Sequence, residues 1–131
     1  MTKIFPYLNP QLVSFFEATT RDEAIQKMVT IIHKNGQMAD ENAFYEAIIE
    51  REKIVSTGIG MSVAIPHAKL PSYDHFFIAI GVLKKGVDWN ALDGTSVRLI
   101  FMIGGPDDKQ TEYLQILSGL TKMIKDENLR K

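Results

Sequence analysis

A chain of 131 residues with 15 Lys and Arg against 16 Asp and Glu is too short for a transporter, and at a net charge of −1 it carries no broad field to gather nucleic acid or an anionic membrane. Hydrophobic residues at 45% and charged residues at 24% place it among ordinary globular chains and exclude global disorder. Cysteine is absent, so disulfides, thiolate metal sites and thiol nucleophiles are excluded together, and any nucleophile must be another side chain.

No internal repeat and no Ser/Gly/Pro-rich linker divides the sequence, so one domain over residues 1–131 is expected. Near the N-terminus the apolar runs are broken by Pro6 and Pro10; they are too short to span a bilayer and lack a signal-peptide cleavage pattern, which makes a cytoplasmic location without membrane insertion the expectation. The first strand is read from about Leu12 to Glu17. Thr20-Arg21-Asp22-Glu23 then forms a capping box, in which hydroxyl and carboxylate reciprocally satisfy orphan amides and start a helix. Ala24, Ile25, Met28, Val29 and Ile32 recur at helical spacing, and His33-Lys34-Asn35-Gly36 ends the element, giving a helix over 21–35. Asp40 caps a second helix that turns Ala43, Phe44, Ala47 and Ile48 inward and carries Arg51 and Lys53 at its far end.

Beyond that helix the pattern breaks into an irregular stretch. Val63-Ala64-Ile65 reads as a short buried strand, and Pro66, without an amide donor, stops further pairing, so His67 is placed at a strand end. Phe76–Leu83 and Val97–Ile103 are uninterrupted apolar runs of strand length, suited to burial on both faces. Gly86 and the segment Asn90 through Gly94 mark turns between them, with Trp89 and Leu92 covering a sheet end. Asp107 or Asp108 caps a last helix with an apolar stripe of Tyr113, Ile116, Leu117, Leu120 and Ile124. Doubly buried strands need cover on each face, so the fold class is α/β: a three-layer α/β/α arrangement with a mixed sheet.

The chemistry concentrates around His67. An imidazole with a pKa of about 6.5 is roughly nine tenths neutral at pH ~7.5 and attacks phosphorus without an activating base. The phosphoimidazole so formed gains about −1.5 to −2 of charge. Gly58 and Gly60 permit close approach of backbone amides, Ser56, Thr57 and Ser62 add hydroxyls, and Arg51 offers a planar clamp. A rim of Ile59, Met61 and Ala68 around the histidine would let a partner dock briefly.

Ser56-Thr57-Gly58-Ile59-Gly60 followed by Ala64-Ile65-Pro66-His67-Ala68 resembles the active-site signature of the fructose/mannitol-type enzyme IIA domains of the bacterial phosphotransferase system, shared by the nitrogen-regulatory enzyme IIA branch. The likeness continues through Arg51-Glu52, Gly86-Val87-Asp88-Trp89 and Leu92-Asp93-Gly94. It implies phosphorylation of His67 on Nε2 with help from Arg51, an HPr-type donor, and an enzyme IIB or a regulatory protein as the target. Two departures stand out: many relatives carry a second active-site histidine where this chain has Tyr113, and relatives continue into a further helix where this chain ends at Asn128-Leu129-Arg130-Lys131. A neutral phenol donates a hydrogen bond but provides no switchable cation, so a regulatory module without efficient turnover is the alternative reading. His33 in a helix end and His75 in a loop carry no site role, and no metal spacing or cofactor motif is found. A small-anion or nucleotide binder is disfavoured because Gly58-Ile59-Gly60 lacks the Lys-Ser/Thr ending of a phosphate loop.

Overall fold

The computed structural model describes residues 8–35, 40–54, 56–70, 73, 75–91 and 93–125. In chain order these form β1 (Leu8–Phe16), α1 (Arg21–Lys34), α2 (Glu41–Ile54), β2 (Gly58–Gly60), β3 (Val63–Ala64), β4 (His67–Lys69), β5 (Phe77–Val87), β6 (Val97–Gly105) and α3 (Gln110–Lys125).

The helix ends follow from local chemistry. Thr20 is extended, and its hydroxyl accepts from the Glu23 N–H at 3.1 Å. The Glu23 carboxylate returns to the N–H of Thr19 rather than that of Thr20, closing the capping box one residue early. At the other end the Asn35 amide and backbone N–H both reach the Ile31 carbonyl, which satisfies it and stops α1. Asp40 accepts from the Ala43 N–H at 3.0 Å and starts α2. In α3 the first backbone bond runs from Tyr113 N–H to the Lys109 carbonyl, so Lys109 occupies the cap position and Asp107 and Asp108 lie ahead of it, a correction to the expected cap.

The six-stranded mixed sheet runs β1-β5-β6-β3-β2, with β4 also on β6. β1 lies parallel to β5, β5 antiparallel to β6, and both β3 and β4 parallel to β6. α1 and α2 bury Ala24, Ile25, Met28, Ile32, Phe44 and Ile48 on one face, against Leu12, Ala79, Leu83 and Met102. α3 covers the other face, packing Tyr113, Ile116 and Leu120 on Ile78, Phe101 and Ile103. The expected three layers are therefore present.

Strand limits differ from the pattern reading for identifiable reasons. β5 runs to Val87, past exposed Lys84 and Lys85, because backbone pairing continues where side chains have already left the core; Gly86 thus sits in a strand and not in a turn. The turns that are present use Asn90 (φ 56°) and Gly94 (φ 75°). Trp89 covers the sheet at 1% exposure, whereas Leu92, Gly36 and residues 126–131 lie outside the described residues. Pro66 interrupts pairing without ending it: its carbonyl accepts from Ile103 N–H at 3.0 Å, and the ladder resumes with His67 opposite Ile103. His67 therefore opens β4 instead of closing β3.

Gly104 lies in this part of the ladder, paired with Phe77 on one side and Ala68 on the other. A Cβ there would lie 2.3 Å from Phe77 Cζ and 2.7 Å from Phe44 Cε1. Gly104→Ala is expected to lower the unfolding free energy by about 2–3 kcal/mol, read from urea denaturation. An unchanged midpoint would show that the aromatic rings can move aside.

Candidate active site

β4 hydrogen-bonds to β6, α2 packs against it from one layer, and Tyr113 of α3 reaches His67 from the other. A cleft of about 400 Å³ opens there, lined by Ala47 and Arg51 of α2, His67, Ala68 and Lys69 of β4, Asp107, and Tyr113 of α3. Side chains two apart on a strand leave the same face, so His67 and Lys69 both project into the cleft.

The two ring nitrogens of His67 have different partners. Nδ1 lies 2.9 Å from the Ile65 carbonyl, which only accepts, so Nδ1 carries the proton. Nε2 is then the lone-pair nitrogen, and it accepts from Arg51 Nε at 3.1 Å. Burial holds the His67 pKa below its ordinary value; the Ile65 carbonyl works against this, Arg51 adds to the lowering, Glu52 opposes it and Lys69 adds again. At neutral pH the ring is a neutral imidazole whose nucleophilic nitrogen sits against a guanidinium in an open cleft.

Tyr113 is 5% exposed, and its ring lies 5.5 Å from that of His67 and stacks on Phe76. Burial pushes its pKa up to about 12, so it remains a phenol. Lys69 Nζ stands 4.4 Å from the Tyr113 ring centre and donates to Gln110 Oε1 at 2.6 Å. Asp107, exposed at the cleft mouth, is the carboxylate of the lining.

The loop ahead of β3 lies beside the cleft and is tied to the fold. Ser56 donates to the Trp89 carbonyl and accepts from Gly58 N–H, while the Thr57 hydroxyl donates to buried Glu52 and accepts from Trp89 Nε1. Thr57 N–H also goes to Glu52, at 3.1 Å. Gly58 packs against Ala91, and Gly60 (φ 97°) against Asp93, whose carboxylate takes the Met61 N–H. Met61 and Ser62 are both left-handed, as a tight hairpin between β2 and β3 requires. Ser56, Thr57, Gly58 and Gly60 are therefore absent from the cleft lining, because their polar groups and close approaches bind the end of α2 to Trp89 and to the β2–β3 hairpin. Thr57→Val would leave the Glu52 carboxylate and the Trp89 N–H without their partner hydroxyl. It is expected to cost about 2–3 kcal/mol of stability in a denaturant titration, since hydrogen bonds to buried charge are the expensive ones to lose. A loss below about 0.5 kcal/mol would mean that the buried groups find new partners.

Residues 6–131 match the family described as phosphoenolpyruvate-dependent sugar phosphotransferase system, EIIA 2. The chain belongs to this family. A fructose-specific EIIABC component of Bacillus subtilis is 41% identical over 115 residues, covering 88% of this chain but 18% of that protein. A fructose-specific EIIA component of Haloferax volcanii is 32% identical over 122 residues, covering 92% of this chain and 79% of the relative. Among solved structures, the nitrogen regulatory protein IIA-Ntr of Neisseria meningitidis superposes with a TM-score of 0.89 at 25% identity, over 95% of this chain and 86% of that one. A complex of enzyme IIAMTL with phosphorylated enzyme IIBMTL from Escherichia coli shares the fold, with a TM-score of 0.75 at 22% identity, over 92% of this chain and 83% of that one.

In this EIIA 2 chain the structure brings together His67, Arg51 and Tyr113 from the residues singled out in the sequence. Lys69 and Asp107 join them in the lining without a site role assigned from the sequence; the signal for Lys69 is its spacing of two from His67 on a strand. The rim also differs. Ala68 lines the cleft but is buried, Ile59 packs into the core under α3, and Met61 sits on the hairpin turn. Ile54 (78% exposed), one turn beyond Arg51, and Leu114 (53%), beside Tyr113, are the large exposed apolar groups next to cleft residues. Among the described residues no helix is long and apolar enough to cross a membrane, and no group of His, Asp and Glu could hold a metal ion.

Proposed function

We propose that this EIIA 2 chain is a cytoplasmic phosphocarrier that takes a phosphoryl group onto Nε2 of His67 from a phosphorylated HPr-type protein and passes it to an enzyme IIB in sugar uptake. The observation that carries the reading is the pair of hydrogen bonds fixing the tautomer: Nδ1–H to Ile65 and Arg51 to the Nε2 lone pair, at an open cleft. In transfer, the Nε2 lone pair forms the new P–N bond while the donor's P–N bond breaks, its electron pair staying on the donor imidazole. No proton need move, because Nδ1–H remains on Ile65. Arg51 leaves the lone pair as the bond forms and takes a phosphoryl oxygen, so one guanidinium serves both the resting and the phosphorylated ring. Ser56, Thr57, Gly58 and Gly60 contribute by holding the end of α2 in place, and Tyr113 replaces the second histidine of relatives.

Relatives named for fructose-specific components and the IIAMTL complex with phosphorylated IIBMTL support an enzyme IIB as acceptor. The neutral phenol at Tyr113, together with the likeness to IIA-Ntr, favours a second reading in which the phosphorylation state of His67 signals to a transporter or transcription regulator. Incubation with phosphoenolpyruvate, enzyme I and HPr, followed by intact mass under mild conditions, is expected to show one acid-labile phosphoryl group. Addition of enzyme IIB domains is then expected to discharge it. A chain that never acquires the label overturns the reading; a labelled chain that no enzyme IIB discharges replaces the carrier with the signal.

A further inference from the structure

We propose that Lys69 is a phosphoryl-binding residue, held beside Tyr113 and Gln110 in the resting site and turning onto the phosphoryl group when His67 is modified. The inference rests on the phosphocarrier reading and deepens it.

Charge is the first consideration. A phosphoryl group brings about −1.5 to −2, and its three oxygens lie in a half-buried cleft where unbalanced charge is poorly screened. The lining offers Arg51 and Lys69 as cations, and Asp107 opposes them. Because Nδ1 keeps its proton, the phosphorylated ring is itself cationic, and ring, Arg51, phosphoryl and Asp107 together leave the cleft at about −0.5 to −1; the second cation closes that gap. Tyr113 has no charge to give at neutral pH, so the cation that the lining offers beside Arg51 is Lys69.

Geometry is the second. Lys69 and His67 leave β4 on one face, with Cα atoms about 6.6 Å apart, and the ring of Tyr113 touches both side chains. Of the three ammonium protons, one goes to Gln110 Oε1 and the aromatic face stabilises the charge. These are replaceable contacts to a neutral amide and a ring, so a dianionic acceptor on the neighbouring histidine outcompetes them by rotation about the lysine stem. In the transfer step Lys69 forms and breaks no covalent bond; it neutralises oxygens of the migrating group.

The test uses two donors, phosphoramidate as a small-molecule source and phosphorylated HPr as a protein source, with Lys69→Met and Lys69→Arg. Lys69→Met is expected to slow labelling of His67 about tenfold with both donors, from loss of one charge-assisted bond in the transition state. It is also expected to shift the equilibrium with HPr toward the donor, whereas Lys69→Arg restores most of each. Melting temperatures of the variants check folding, and a misfolded Lys69→Met is replaced by Lys69→Gln. Slowing confined to phosphorylated HPr would make Lys69 a docking residue, and wild-type rates with both donors would leave it no role; either result overturns the proposal. A wild-type chain that neither donor labels refutes the phosphocarrier reading itself.

Discussion

Replacing His67 with glutamine is expected to abolish phosphoryl uptake, to below about one part in 10⁴ of the wild-type rate. Glutamine keeps much of the length and leaves an amide N–H to meet the Ile65 carbonyl, so the start of β4 and its pairing with Ile103 are preserved. What disappears is the sp² lone pair, because the amide nitrogen's electrons are delocalised into its carbonyl. Loss of activity without loss of the melting transition therefore isolates the nucleophile from the fold. The chain holds two other histidines, His33 and His75, both exposed, and these are the alternative acceptors. Acid-labile label that forms on His67→Gln at the wild-type rate would move the chemistry to one of them and sink the assignment. Intact mass at short times, followed by peptide mapping of the labelled chain, decides the matter.

The residues that bear on this chemistry were unevenly legible in the sequence. The layers were readable because burial on both faces writes continuous apolar runs, as in Phe77–Leu83 and Val97–Ile103, and because helix caps such as Thr20 and Asp40 are local. His67 was readable for the same reason that Pro66 was: a proline before a histidine after a short buried strand is a local pattern. What a local pattern cannot carry is a partner thirty positions away. Thr57 looks like a phosphate-binding hydroxyl until Trp89 and Glu52 are seen to share it, and Gly60 looks like a flexible cradle until the Asp93 carboxylate is found against it. Lys69 looks like an ordinary surface cation until α3 brings Tyr113 and Gln110 across the sheet end. The extension of β4 past Pro66 was missed because a proline forbids donation by its own nitrogen only; its carbonyl and the next amides remain available to β6.

Arg51→Ala is expected to slow phosphoryl uptake by about 10²- to 10³-fold, the range found when one preorganised donor is removed from a developing charge. Arg51→Lys is expected to recover little of it, since a single ammonium point cannot reproduce the planar fork that passes from Nε2 to a phosphoryl oxygen. The same substitution should move the pH dependence, and the direction follows from the causes. Burial lowers the His67 pKa most and Arg51 lowers it further, while Ile65 and Glu52 act the other way. Wild-type uptake should therefore stay near its plateau as pH falls through about 6.5, where an ordinary imidazole is half protonated, and decline only below it. Removing the guanidinium takes away one lowering influence and admits water to the ring, which weakens the largest, burial, and leaves Lys69 as before. Both changes raise the pKa, so the acid decline of Arg51→Ala should begin at higher pH than in the wild type. Single-turnover labelling with phosphoramidate across pH, beside an NMR titration of the His67 ring protons, reads both quantities. A ring that titrates at the same or lower pH in Arg51→Ala would show that the guanidinium does not act on the nucleophile, and a rate within about threefold of wild type would remove it from the transition state.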